Sequence, residues 1–240
     1  MTQHGDRYQQ PTFFFRLALL ITVVVFSGFI LNWLINPNQL ERVTVWIGVH
    51  GAFSAAWYLL LLNQSYLVRA RQFSRHRLWG KLSVILVIAI LLTGVIMTLD
   101  LYERLVNFGV FNPEDANARV RAGALIGSTF LQWTLFACLY ILGLFNIGSP
   151  AHHKRFMLAA AVQLMPEGLN RLIHVLTLPG YMMLVIIACV YASIVIYDLK
   201  TTRRIQSSTM ISIALFALLA TSIYTVFQTQ VWGDWVVNML

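Results

Sequence analysis

An all-α bundle of seven membrane-spanning helices is the architecture this sequence predicts. Three observations predict it. Charged residues make up 11% of the 240-residue chain and hydrophobic ones 58%, where a soluble domain carries about 25% charge. Apolar runs recur at lengths that cross about 30 Å of hydrocarbon. Basic residues gather in alternate loops between those runs, which is a topological pattern and not a nucleic-acid footprint. The mean hydropathy of +0.70 agrees. The chain reads as one transmembrane domain over residues 1–240, with the lipid bilayer as its immediate partner and no nucleic acid.

The first apolar run covers about residues 12–35, and Pro37-Asn38 ends it. Met1 to Pro11 is polar and holds His4, Asp6 and Arg7, so it does not read as a cleavable signal peptide and the first run stays as an anchor. The second run, about 43–68, carries His50, Ser54, Trp57 and Gln64 on one helical face. A basic turn leads to the third, about 79–100, which closes on Asp100. Pro113, Glu114 and Asp115 break the longest loop. The fourth run, about 122–147, contains Gly123 and Gly127, a spacing that lets another backbone approach closely. Pro150 opens the fifth, about 153–177, and Pro179-Gly180 turns the chain sharply into an antiparallel sixth, about 180–198. The seventh spans about 208–230 and has no mid-membrane lysine, which excludes a retinal Schiff base. Cys138 and Cys189 fall within apolar runs and read as small buried hydrophobes.

Charge fixes the expected orientation. One set of loops carries Arg7, Arg16, Arg69, Arg71, Arg75, Arg77, Lys81, Lys154, Arg155, Lys200, Arg203 and Arg204; the other carries Arg42, Arg104, Arg119 and Arg121. The positive-inside rule then puts the N-terminus in the cytoplasm and the C-terminus outside. Glu41, Asp100, Glu103, Glu114, Asp115 and Asp234 fall on the outer side, where Trp232 and Trp235 form an aromatic belt. Two stretches, 43–100 and 122–177, read as parallel repeats of a helical hairpin: Trp57 precedes His76 by 19 residues, and Trp133 precedes His152 by 19.

The fifth run is unusual. Gln163, Glu167, Asn170, Arg171 and His174 share an arc of about 100° on it. Ionisable groups are expensive in hydrocarbon and mark a site or a buried pair. Glu167 and Arg171 stand four apart in the favourable order for an intrahelical pair. Pro166 predicts a kink just before Glu167. By rise along the chain, His174 sits in the outer half at a depth comparable to that of His50. Two opposed imidazoles are what an axial bis-histidine b-type haem needs. In that reading Arg171 pairs with a propionate, Glu167 relays a proton, and Asn170 and Trp57 complete the cofactor's surroundings. With Glu167 or Asp100 added, the same histidines suit a zinc-like ion. His76, His152 and His153 offer an inner counterpart, His76 with His153 being a second haem or metal site; a lipid-phosphate role at helix starts suits them better.

His76-Arg77-Leu-Trp-Gly80, the His153-Lys-Arg-Phe-Met157 turn and Tyr197-Asp198-Leu199 carry a resemblance. They resemble a bacterial family of uncharacterised multi-pass membrane proteins with HR-x-x-G and HKR turns, over roughly residues 50–205. That resemblance implies a bacterial inner-membrane protein and brings no activity with it. A looser likeness joins the chain to di-haem cytochrome b-type membrane proteins, through histidines at two depths and helical repeats. The histidine spacing does not transfer their ligands.

Three function classes follow. The first is a haem-binding electron-transfer protein that handles quinone, a membrane oxidoreductase. The second is a non-enzymatic transport, binding or assembly subunit. The third is a metal-dependent membrane hydrolase, which lacks its usual His-x3-His signature here.

Overall fold

The computed structural model describes residues 12–38 and 43–240. His4, Asp6, Arg7, Glu41 and Arg42 lie outside the described residues. The order is α1 (Phe13–Ile35), α2 (Val45–Arg69), α3 (Phe73–Asn107), α4 (Ala116–Phe145), α5 (Pro150–Leu164), α6 (Pro166–Val175), α7 (Met182–Thr202), α8 (Ser207–Tyr224) and α9 (Gln230–Met239), with a 3-10 turn at Val226–Gln228. No strand occurs among the described residues. Six helices are long and apolar enough to cross a membrane: α1, α2, α3, α4, α7, and α8 with its 3-10 turn.

The expected fifth span is two helices. Pro166 has no amide proton to donate back to Val162, so the ladder breaks at Met165 and restarts with Leu169 N–H bonding Met165 O at 3.0 Å. The kink predicted at Pro166 is therefore present. The two pieces pack on different partners, α5 along α4 and α6 along α1. Every residue from Leu158 to Met165 is buried, so α5 is the spine of the bundle.

Several helices run past the apolar stretches that announced them. α3 continues six residues before and seven after its expected span of about 79–100. α4 starts at Ala116 because Asp115 caps it, its carboxylate accepting from Asn117 N and Ala118 N at 3.1 Å each. The last run is also broken: the chain turns after Tyr224, and α9 folds back on the start of α4.

Glycine sets two of the close crossings. A Cβ on Gly28 would lie 2.0 Å from Gly168 O, which locks α1 to α6. A Cβ on Gly123 would lie 2.7 Å from Gly233 Cα, and one on Gly127 would meet the Trp232 ring at 2.8 Å. The small-residue spacing in α4 thus serves close packing as expected, with α9 as the partner. Trp232 Nε1 donates to Gly123 O at 2.9 Å, and Arg119 Nε pairs with Asp234 at 2.5 Å.

One expectation needs correction. Cys138 and Cys189 are exposed free thiols, not buried ones. In a membrane bundle the outer surface is as apolar as the core, so an apolar neighbourhood in sequence does not imply an interior position.

Candidate functional site

The ends of the bundle differ in charge, and the basic end is tightly built. Arg155 of α5 and Asp198 of α7 form an ion pair with 3% and 0% exposure. Arg155 donates through Nε at 3.0 Å and through Nη2 to Asp198 Oδ1. Asp198 Oδ2 accepts from Gln206 N at 3.1 Å and from Thr209 Oγ1 of α8 at 2.6 Å. Phe14 of α1 lies edge-on to Tyr197 at 5.2 Å, and Lys154 Nζ sits 4.5 Å over the Phe14 ring. Both carboxylate oxygens of Asp198 are engaged, so this is a clamp that joins α1, α5, α7 and α8. The HKR turn and the Tyr197-Asp198 pair meet inside it. The sequence carried a signal for it: Asp198 is the one acid between the sixth apolar run and its basic loop.

The polar arc of the fifth run is divided by the break at Met165. Glu167, Asn170 and His174 are exposed, and Arg171 is half-buried. Arg171 Nη1 lies 3.6 Å from Glu167 Oε2, donates to Glu167 O at 2.5 Å, and its guanidinium covers Phe29 at 4.4 Å. The intrahelical pair expected from the spacing is formed. Asn170 and His174 make no side-chain hydrogen bond among the described residues. His50 is within electrostatic reach of Glu167 and is buried, with Nδ1 3.2 Å from Thr93 Oγ1, Nε2 3.4 Å from Ser54 Oγ, and its ring 5.8 Å from that of Trp133.

These residues fit an axial haem pair poorly. An axial imidazole needs a free ring nitrogen facing the iron. Both nitrogens of His50 face hydroxyls, and no hydrogen bond or ring contact joins His50 to His174 among the described residues. Asp100 is occupied by Thr44 Oγ1 at 3.2 Å and Arg104 at 3.7 Å. Among the described residues no three His, Cys, Asp or Glu side chains gather to hold a metal ion. The inner histidines do meet: the His76 and His153 ring centroids are 6.4 Å apart. His152 instead bonds Ser208 at 3.0 Å.

The bundle interior holds a different set of unused chemistry. Gln163 of α5 is 2% exposed, and neither Oε1 nor Nε2 has a partner. Gln132 Nε2 of α4, Tyr191 Oη of α7 and Trp57 Nε1 of α2 are buried without partners as well. Helix periodicity sets three of them on inward faces of α4, α5 and α7. Gln132 lies 11 residues before Gly143 and about 20° from it around α4. Gly143 faces α5, its carbonyl accepting from His153 Nδ1 at 2.8 Å. Tyr191 lies seven residues before Asp198, about 20° from the direction that meets Arg155. Gln163 lies about 80° around α5 from both His153 and Arg155.

Their depths also agree. From the Arg155–Asp198 level, Gln163 rises about 12 Å along α5 and Tyr191 about 10 Å along the returning α7. Gln132 is within about one turn of the same level, counted from Gly143. Tyr58 Oη donates to Ala161 O at 2.9 Å, which puts neighbouring Trp57 there too. Trp57 packs edge-on against Phe136 at 5.3 Å and Tyr140 at 5.6 Å. Each buried polar group left without a partner costs about 1–3 kcal/mol, so several at one depth mark the place of a bound polar molecule or water. Sequence reading found Gln163 and Trp57 and missed Gln132 and Tyr191. A lone glutamine amid apolar residues of the fourth run was the available signal.

Comparison with protein-family models, with curated proteins and with solved structures finds no match, so the chemistry of these side chains carries the functional reading.

Proposed function

We propose that this protein binds a small uncharged polar molecule inside the bilayer, as a binding or transport subunit. The observation that carries the reading is the set of buried, partnerless polar atoms on Gln132, Gln163, Tyr191 and Trp57, which helix rise puts at a similar depth. The set offers amide, phenol and indole donors and one amide acceptor. It contains no charged group, and a buried charged ligand would go uncompensated. A molecule bearing carbonyl or hydroxyl groups suits it, and the carbonyls of a membrane quinone are of that kind. Beyond Gln163, on α6, exposed Glu167 pairs with half-buried Arg171. This reading is favoured over haem chemistry at His50 and His174 and over metal-dependent hydrolysis, because neither finds its donor set.

In this reading α5 and α6 together make a seventh crossing. They track α1 in parallel, from Lys154 over Phe14 through Gly168 on Gly28 to Arg171 over Phe29, and α1 is itself long enough to span. Seven crossings put the termini on opposite sides, and the basic loops put the N-terminal side in the cytoplasm. Membership of the bacterial family with HR-x-x-G and HKR turns, and hence an inner-membrane location, belongs to the same proposal.

The test is to purify the protein in lipid nanodiscs and extract it for mass spectrometry. The wild type should release an uncharged molecule in near-stoichiometric amount, and Gln163→Leu and Gln132→Leu should each lose it. A wild type free of such a molecule, or variants that retain it, overturns the proposal.

A further inference from the structure

The basic end carries a second set of unused donors, separate from the interior glutamines. His76, in the first turn of α3, has Nδ1 buried without a partner. A ring nitrogen of His76 also meets the Gln64 backbone carbonyl, which holds the imidazole in place and leaves Nδ1 as the unpartnered nitrogen. The His153 ring, in the first turn of α5, stands 6.4 Å away between centroids with an interplanar angle of 82°. Its Nδ1 lies 2.8 Å from Gly143 O. A carbonyl accepts only, so Nδ1 is the protonated nitrogen and Nε2 keeps its lone pair. Fixing one imidazole nitrogen by a backbone carbonyl, so that the other can ligate, is the usual second-sphere arrangement of a metal-binding histidine. A third donor is near: Gln64 Nε2 of α2 donates to His76 O at 3.1 Å, and its Oε1 is buried and unpartnered.

Two imidazoles that bind one ion at about 2 Å each have centroids about 5–6.5 Å apart, depending on the angle at the metal. The observed separation falls in that range. Two packed rings with no ion between them would leave the buried His76 Nδ1 and Gln64 Oε1 unpartnered, each at a desolvation cost. We infer that His76 and His153, with Gln64 in support, hold a first-row transition-metal ion that prefers imidazole ligands. Water or a further ligand completes its coordination from the exposed side of the helix starts. Iron within a haem and a free zinc or copper ion share this chemistry.

The experiment uses the full-length protein in nanodiscs, stripped with chelator and titrated in separate arms with zinc, with copper(II) and with ferric haem. One equivalent should bind in at least one arm and raise the melting temperature. His76→Ala and His153→Ala should each weaken that binding at least tenfold. His152→Ala, whose ring bonds Ser208 on α8, should leave it unchanged. His76→Gln guards against misfolding: it should melt near the wild type without metal and fail to gain stability with it. Haem binding with a bis-imidazole spectrum identifies haem as the source, and saturation by zinc or copper alone identifies the free ion; both support the site. Absence of one-equivalent binding in every arm, or binding indifferent to both His76 and His153, overturns it.

Discussion

Removing the charge of Asp198 should cost this fold more than any exposed substitution. Asp198→Asn deletes the anion and one of two acceptor oxygens, while Arg155 stays buried with 3% exposure. The asparagine amide cannot accept from Arg155 and from the Gln206 N–H and Thr209 hydroxyl together. Breaking one side of a buried ion pair typically costs about 3–5 kcal/mol. For a chain of 240 residues that corresponds to a melting shift of about 6–20 °C. Arg155→Met should cost a similar amount, because it leaves a buried carboxylate. The double variant Arg155→Met/Asp198→Asn should be milder than the sum, since asparagine can still accept from Gln206 and Thr209. Melting of the four proteins in one detergent completes a double-mutant cycle. A coupling of about 2 kcal/mol or more is expected, and one below about 0.5 kcal/mol would refute the clamp.

Gln163→Leu should raise the melting temperature of the ligand-free protein, by about 1–3 kcal/mol of stability, because it removes two unsatisfied buried atoms; an equally large loss would mean that Gln163 is bonded within the protein. Gly28→Ala drives a Cβ into Gly168 O and should cost about 1–3 kcal/mol or more, read as lower melting temperature and lower yield, whereas Gly51→Ala, with open space around it, should cost nothing measurable. Glu167→Gln should change stability by less than about 1 kcal/mol, since its pair with Arg171 is half-exposed. Thr93→Val should lower stability by about 1 kcal/mol through loss of the His50 contact, and a melt of that variant beside Ser54→Ala would show which hydroxyl matters more.

The spanning elements were legible in the sequence because the hydrocarbon requirement is written in composition. Helix ends were less so. Arg75, His76 and Arg77 at one end of α3, and Glu103 and Arg104 at the other, continue the helix outside the apolar stretch, and hydropathy records only the stretch. Pro166 announced the break in the fifth run, yet its consequence was hidden. The arc drawn through Gln163, Glu167 and His174 assumed one straight helix, and the structure keeps Gln163 inside while Glu167 and His174 face out. Matched depth leaves azimuth undetermined: His50 turns toward Thr93 and Trp133. The Arg155–Asp198 pair joins residues 43 apart in sequence, beyond the reach of any local pattern, although an acid beside a basic loop hinted at it. Gln132 and Tyr191 escaped notice because a single polar residue in an apolar helix carries no period.

The proposed function requires a non-protein molecule in hydrogen-bond reach of Gln163 and of Gln132 or Tyr191. An experimental density map of the protein in lipid nanodiscs, at a resolution that shows ordered water, tests this most directly. Density that belongs to no protein atom, within hydrogen-bond reach of the Gln163 amide and at least one of the other two side chains, is the predicted result. Direct hydrogen bonds among the three side chains, with no such density between them, would contradict it.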